Sequence, residues 1–191
     1  MSEQDQQGTD NLGEEATLAR LAAEGVAHEL VEHPAVWTME DVEALDPPHP
    51  GADAKNLLVR DDKKRGYYLL TVQGDKRVDL GAFRKAHGLR RLSLASPADL
   101  ERLLGLYPGA VTPLGLLNDA AHRVRLYLDE HLVKGPEDSL LGVHPNDNTA
   151  TVYLRAADLV DLMRADGAAV EVVPFWTRPT AGRGAVARSG A

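Results

Sequence analysis

Hydrophobic residues along this chain follow two spacings, one typical of amphipathic helices and one typical of half-buried strands. Leu18, Leu21 and Ala22 recur at helical spacing and are followed by Gly25, a residue type that commonly ends a helix. Further helices are predicted over 38–45, 80–86, 97–104 and 156–165. Strands are predicted over 26–32, 56–60, 67–72, 91–94, 123–128, 149–154 and 170–173.

The second and third predicted strands form the clearest local unit. Both are apolar, and the charged segment between them, 61–66, ends in glycine. This pattern is typical of a β-hairpin, whereas the helices between other strands favour crossover connections. We therefore expect an α/β fold, a single domain with one mixed sheet of about seven strands flanked by helices.

The length and composition indicate one domain with two tails. The chain has 191 residues, of which 43% are hydrophobic, enough for one core. Residues 1–15 contain five acidic residues and no Lys or Arg, and residues 178–191 contain three Arg and no acid. Neither end has periodic apolar positions, so we predict disordered tails around a domain at 16–177.

Charge and composition exclude several classes of protein. The net charge of -8 disfavours broad binding to a nucleic-acid duplex, which depends on neutralising phosphates, but is compatible with a short single-stranded end. The chain has no cysteine, so disulfides and thiolate chemistry are excluded. Its first ten residues are polar and no apolar run is long enough to span a membrane, so we expect a soluble cytoplasmic protein.

Common catalytic and nucleotide-binding motifs are absent. The sequence has no Gly-rich dinucleotide fingerprint, no phosphate-binding loop with Lys-Ser/Thr and no Gly-x-Ser-x-Gly. None of its seven histidines pairs with another at the helical spacing of a metal site. We therefore expect neither a metal nor a cofactor.

Three segments place polar or Gly/Pro residues beside apolar strands. They are 51–59 with Lys55, 108–115 with Gly109 and Pro113, and 142–152 with His144. Each also has a purely structural interpretation. Lys55 could be a solvated charge at a sheet edge, the second segment an ordinary turn, and the Asn and Thr residues of the third could serve turn formation and strand propensity.

Together these segments resemble the YbaK/ProX family of aminoacyl-tRNA editing domains. Lys55 before Asn-Leu-Leu-Val, the Gly109-x-x-x-Pro113 loop and the His144-Pro-x-x-Asn-Thr-x-Thr151 segment occur in the order and spacing of that family, and 33–41 is also similar. The resemblance covers about residues 17–173. The resemblance is to the free-standing prolyl-tRNA editing branch. It implies that the protein hydrolyses the ester between mischarged alanine and proline tRNA, without a metal.

The resemblance also implies roles for individual residues. Lys55 and Asn148 would be the catalytic residues, Lys55 holding the terminal phosphate or polarising the ester and Asn148 orienting the amine or the attacking water. The expected substrate-binding residues are Gly109, Ala110, Val111, Thr112, Pro113, His144 and Thr151. The implied partner is the 3′ end of mischarged proline tRNA, with prolyl-tRNA synthetase or an elongation factor as candidate protein partners.

Such an editing site is physically reasonable, because a pocket shaped for proline cannot exclude the smaller alanine by size. The sequence offers no Ser, Cys or His triad, so we expect direct attack by water with the carbonyl oxygen stabilised by backbone N–H groups. Three alternatives remain open: a non-catalytic module that binds tRNA ends or a synthetase, a deacylase for another amino acid such as cysteine, and a metal-dependent hydrolase, which the histidine spacing disfavours.

Overall fold

The computed structural model describes residues 11–38, 41, 44–74, 76–135 and 139–175. In chain order the elements are α1 (Glu14–Ala23), β1 (His28–Glu32), β2 (Ala54–Asp61), β3 (Tyr67–Gln73), α2 (Leu80–Ala86), β4 (Leu92–Leu94), α3 (Pro97–Leu104), a 3-10 helix (Pro113–Asn118), β5 (Val124–Asp129), α4 (Glu130–Val133), β6 (Leu140–Val143), β7 (Ala150–Arg155), α5 (Ala156–Asp166) and β8 (Val170–Val173). Most of the two predicted tails lies outside the described residues.

The larger sheet has five strands in the order β4-β2-β3-β5-β8. The predicted hairpin is present, since β2 and β3 are antiparallel with Lys55 opposite Val72. The pairs β3–β5 and β5–β8 are parallel. This sheet is therefore mixed, as the combination of a hairpin with helical crossovers predicted.

A second sheet of three antiparallel strands has the order β1-β7-β6. The domain thus has eight described strands in two sheets, instead of about seven in one. The additional strand is β6, a four-residue segment that contains Gly142. It is a strand because β7 pairs with it, and a segment this short has no period-2 pattern of its own.

The two faces of the five-stranded sheet are covered by separate apolar clusters. Along β3, Leu69 packs into a cluster with α3 and α5, and Leu70 packs into a cluster with Phe83 of α2. The same alternation occurs on β5, where Leu126 and Tyr127 belong to different clusters. Burial on both faces explains why these strands are apolar at nearly every position.

Side-chain caps begin several helices where the sequence predicts them. Asp79 accepts hydrogen bonds from two backbone N–H groups of α2. Ser96 and Asp99 form a reciprocal capping box at α3. Thr38 and Asp41 also exchange hydrogen bonds of 2.9 and 3.1 Å, although most of the helix predicted to follow lies outside the described residues.

Asp99 is also the centre of a buried polar cluster. Its carboxylate accepts hydrogen bonds from Tyr67, Arg102 and Ser96 and pairs with Arg60. Burial raises the pKa of Asp99, but these hydrogen bonds outweigh burial and hold the pKa well below its ordinary value.

Ordered structure begins before the predicted domain boundary at residue 16. Helix α1 begins at Glu14, and the backbone N–H of Leu12 donates to Asn118 Oδ1 at 2.8 Å. The carbonyl of Leu12 accepts from Asn146 at 2.8 Å. Leu12, which lies in the predicted tail, therefore contacts the domain.

Candidate active site

A cavity of about 520 Å³ lies where the two sheets meet. The junction includes a parallel bridge between Asp53 and Gly142, and the Gly142 N–H donates to the carbonyl of Ala52 at 2.9 Å. The cavity is lined by Val36, Trp37, Thr38, Asp53, Ala54, Lys55, Asn56, Leu57, Gly74, Lys76, Arg77, Gly109, Val111, Gly142, Val143, His144 and Thr151. All three segments singled out in the sequence therefore contribute to one cavity.

Lys55 lies in this cavity on β2, near the start of the strand. It is half-buried, and no carboxylate of the described residues lies within ion-pair distance of its Nζ. By contrast, the neighbouring Lys76 lies 2.6 Å from Asp129. A half-buried ammonium with no counter-charge among the described residues is available to an anionic or polarisable group of a ligand.

His144 lines the cavity with its protonation fixed by a backbone contact. Its Nδ1 lies 2.8 Å from the carbonyl oxygen of Ala150, which can only accept, so Nδ1 carries the proton in the neutral ring. Burial lowers the pKa of His144, and the nearby His33 lowers it further, while the bond to Ala150 opposes both. The ring is therefore neutral at pH 7, with Nε2 an acceptor.

Thr151 connects the cavity to a smaller neighbouring pocket of about 220 Å³. Its hydroxyl lies 2.9 Å from His33 Nε2, and His33 Nδ1 lies 2.8 Å from the carbonyl of Pro34. Because that carbonyl can only accept, His33 Nδ1 is the donor, and in the neutral ring Nε2 accepts from Thr151. Thr151 therefore anchors the segment that precedes Trp37.

The predicted substrate-binding loop divides into lining and supporting residues. Gly109 and Val111 line the cavity, whereas Ala110, Thr112 and Pro113 are buried outside its lining. The backbone of Gly109 has φ +97°, and a Cβ there would lie 2.6 Å from the indole of Trp37. Glycine is therefore required both by the backbone conformation and by the close approach of Trp37.

Asn148 is buried and lies outside the cavity lining. Its Nδ2 donates to the carbonyl of Val36 at 2.9 Å, and its Oδ1 accepts from the hydroxyl of Tyr107 at 3.1 Å. These bonds join the segment at Val36 to the loop at Tyr107. The geometry favours a positioning role, and direct contact of Asn148 with a substrate stays a prediction.

No role was predicted for most of the lining residues, among them Trp37, Asp53 and Arg77. Trp37 is 62% exposed and lies in a segment noted for its resemblance, but no role was predicted for it. Asp53 is half-buried, and it precedes Lys55 by two residues, a spacing that places both on one face of an extended chain. Arg77 lies after the end of β3, and no pattern in the neighbouring sequence indicates that it lines a cavity.

Neither a metal site nor a membrane-spanning helix is found among the described residues. Within them, no three or more His, Asp and Glu side chains are grouped so that they could hold a metal ion. The described helices are also too short or too polar for any of them to cross a bilayer.

The fold and the cavity define an α/β domain with a polar site at the junction of two sheets. The aminoacyl-tRNA editing domain family matches residues 33–162. The chain belongs to this family, which confirms the resemblance seen in the sequence.

Named relatives agree with this assignment. The chain is 38% identical to the prolyl-tRNA editing protein ProX of Acetoanaerobium sticklandii, over 80% of this chain and 92% of that protein. It is 34% identical to prolyl-tRNA synthetase associated domain-containing protein 1 of Bos taurus, over 78% and 86% of the two chains. A crystal structure described as a candidate trans-editing enzyme for prolyl-tRNA synthetase superposes with a TM-score of 0.65 at 26% identity, covering 86% of this chain and 99% of that one.

Proposed function

We propose that this protein is a trans-editing deacylase that hydrolyses the ester between a mischarged amino acid and tRNA, with alanine on proline tRNA as its substrate. The observation that carries the proposal is that Lys55, Gly109, His144 and Thr151, which come from separate parts of the chain, line one cavity. They belong to the segments by which the sequence resembles the editing family. A relative named as a prolyl-tRNA editing protein supports the choice of tRNA.

The cavity suits the end of an aminoacyl-tRNA. Lys55 lies inside it and would bind the terminal phosphate or polarise the ester carbonyl. Gly109 lets the main chain approach a ligand closely, and Val111 adds an apolar contact beside it. Binding through a few local groups does not require the basic surface that a duplex-binding protein needs.

We propose direct hydrolysis by water, because the described lining of the cavity contains no Ser or Cys. Thr151 is buried and its hydroxyl lies 2.9 Å from His33 Nε2, and we assign this hydroxyl to holding His33 instead of attacking the ester. The free ribose hydroxyl of the substrate is the expected group that orients the water. Lys55 then stabilises the charge that develops on the carbonyl oxygen in the transition state.

His144 forms part of the wall that limits the size of the amino acid. A neutral, half-buried ring held at Nδ1 by Ala150 cannot easily move aside for a larger side chain. A pocket of fixed size discriminates between amino acids by steric exclusion of the larger one, which proline would suffer and alanine would not.

We further propose that the reaction takes place in the cytoplasm with a partner that supplies tRNA selectivity. The protein has a net charge of -8, which opposes tight binding to the tRNA body. Prolyl-tRNA synthetase or an elongation factor would bring the substrate to the site.

The experiment that tests the proposal is deacylation of alanyl-, cysteinyl-, seryl- and prolyl-tRNA by the purified protein, with and without a chelator. We expect hydrolysis of alanine from proline tRNA, little hydrolysis of proline, and no effect of the chelator. Binding of the aminoacyl-tRNA without turnover of any ester would support a non-catalytic module instead. Loss of turnover in chelator would support the metal-dependent alternative.

A further inference from the structure

The cavity contains charges of both signs that do not pair with each other. Asp53 is the sole carboxylate among the described residues that line it, and Lys55 and Arg77 are cations in the same lining. Within the described ranges, none of the three has an ion-pair partner within 4.0 Å, whereas Lys76 is paired with Asp129. Unpaired opposite charges in one cavity are complementary to a ligand that carries both charges at separate positions.

The Asp53 carboxylate is held in a defined place. The hydroxyl of Tyr153 donates to Asp53 Oδ1 at 3.3 Å. Burial raises the pKa of Tyr153 and the charge of Asp53 raises it further, so the phenol stays protonated and remains a donor. On the adjacent strand, a Cβ at Gly142 would lie 2.8 Å from Asp53 Oδ1, so glycine leaves the space that the carboxylate occupies.

Two described histidines near Asp53, His33 and His49, each contact another side chain. His49 Nε2 lies 2.7 Å from Glu29, and His33 Nε2 accepts from Thr151. Burial raises the pKa of Asp53, and the Tyr153 hydrogen bond and the nearby His33 and His49 offset that effect only in part. A bound cation would provide that compensation, since a buried carboxylate is costly without one.

We infer that Asp53 forms a subsite for the α-ammonium group of the amino acid carried by the tRNA. The inference rests on the proposed function, because it assigns the amine of the aminoacyl ester to Asp53 and leaves the ester carbonyl and the terminal phosphate to the cations Lys55 and Arg77. The ligand class is therefore an ester with a free primary amine. An ammonium bound at Asp53 would fix the position of the adjacent carbonyl carbon, which water attacks.

The test compares two substrates that differ only in the charged group. Alanyl-tRNA is converted by deamination to lactyl-tRNA, in which a hydroxyl replaces the ammonium with nearly unchanged size. Each enzymatic rate is divided by the uncatalysed hydrolysis rate of the same ester, because loss of the ammonium also changes intrinsic reactivity. We expect the wild-type protein to favour alanyl-tRNA by about 10- to 100-fold in normalised kcat/KM, the range for a charge-assisted hydrogen bond.

Asp53→Asn should remove that preference by lowering normalised kcat/KM for alanyl-tRNA and leaving the value for lactyl-tRNA nearly unchanged. Tyr153→Phe, which loses only the bond to Asp53, should give a smaller loss with the same selectivity. Glu24→Gln, directly after α1, is the control for removal of an acid outside the cavity and should keep the wild-type preference. Thermal unfolding of each variant shows whether the fold is retained.

Two results would overturn the inference. One is an equal loss on both esters in Asp53→Asn, and the other is a wild-type protein that does not distinguish them. If Asp53→Asn does not fold, the Tyr153→Phe comparison decides by the same criterion. Failure of the wild-type protein to hydrolyse any aminoacyl-tRNA would instead refute the proposed function, so the two failures are distinguishable.

Discussion

Replacing His144 by alanine separates two roles that the structure allows for this residue. The ring lines the cavity, and its Nδ1 is bonded to the Ala150 carbonyl at 2.8 Å, which leaves Nε2 as an acceptor. As a wall, the ring excludes proline, and His144→Ala should increase activity on prolyl-tRNA while activity on alanyl-tRNA falls modestly. As a general base, the same change should lower both activities by about 10²- to 10⁴-fold.

The stability cost of the substitution can be worked out from the same contact. Removing the imidazole leaves the Ala150 carbonyl without that donor, and an unsatisfied buried acceptor costs about 1–3 kcal/mol. For a domain of this size, each kcal/mol lowers Tm by about 2–4 °C. His28→Ala is the matched control, because His28 is also half-buried and its Nδ1 also lies 2.8 Å from a backbone carbonyl, that of Val26, away from the cavity.

The assay is deacylation of alanyl- and prolyl-tRNA at pH values from 5 to 8, with Tm measured alongside. Burial lowers the pKa of His144 below its ordinary value of about 6.5, so a catalytic base would already be neutral and active at pH 6.5. The rate would then fall only on further acidification. If His144 is only a wall, its titration should not affect the wild-type deacylation rate. The pH profiles of the wild type and His144→Ala should then have the same shape. A parallel loss on both substrates, with the His28 control unaffected, would refute the wall.

Three further substitutions test other parts of the structure. Lys55→Ala should lower kcat/KM about 10²- to 10³-fold with little change in Tm. Lys63 is exposed on the same hairpin, and Lys63→Ala should lower neither quantity. Near-normal turnover of Lys55→Ala would leave only the interpretation of Lys55 as a charge at the sheet edge. Gly109→Ala places a Cβ on a backbone with φ +97° and against the Trp37 indole. The free energy of unfolding in urea should fall by about 1–2 kcal/mol, and the fluorescence emission of Trp37 should shift. That emission is read in a Trp176→Phe background, where Trp37 is the sole tryptophan, and an unchanged spectrum would contradict the packing. Because hydrogen bonds hold the pKa of Asp99 low, the stability of the wild type should fall as the pH drops below about 4. Asp99→Asn should be less stable than the wild type at pH 7 and should lose less stability on acidification. Parallel pH profiles of the two proteins in urea unfolding would contradict this.

Features set by short-range sequence signals were predicted well. The β2–β3 hairpin follows from two apolar runs and a charged turn, and α3 follows from Ser96-Pro97 and Gly105. The division into two sheets was not predicted, because it depends on β1 pairing with β7, more than 100 residues away. No local pattern records such a pairing.

The residues of the candidate site also differ in whether the sequence alone revealed them. Lys55, Gly109, His144 and Thr151 were found through resemblance and lie together in the cavity. Asp53 lies in segment 51–59 but had no predicted role, because it forms a bridge to Gly142 on a strand that was not predicted. Burial of a charged residue beside a strand depends on what packs against it, and that neighbour can come from any part of the chain.

The pairing of β1 with β7 has a consequence for the order of events during synthesis. His28 pairs with Leu154, so β1 must remain unpaired until well over 100 further residues have been made. At about 5–20 residues per second, that interval lasts roughly 6–25 s. Asn148 forms hydrogen bonds with Val36, so the segment of Val36 and Trp37 lacks these bonds for a similar time. A nascent chain that ends before β7 therefore has Lys55 and Gly109 but no closed cavity, and it gains the ability to edit only after β7 has emerged from the ribosome.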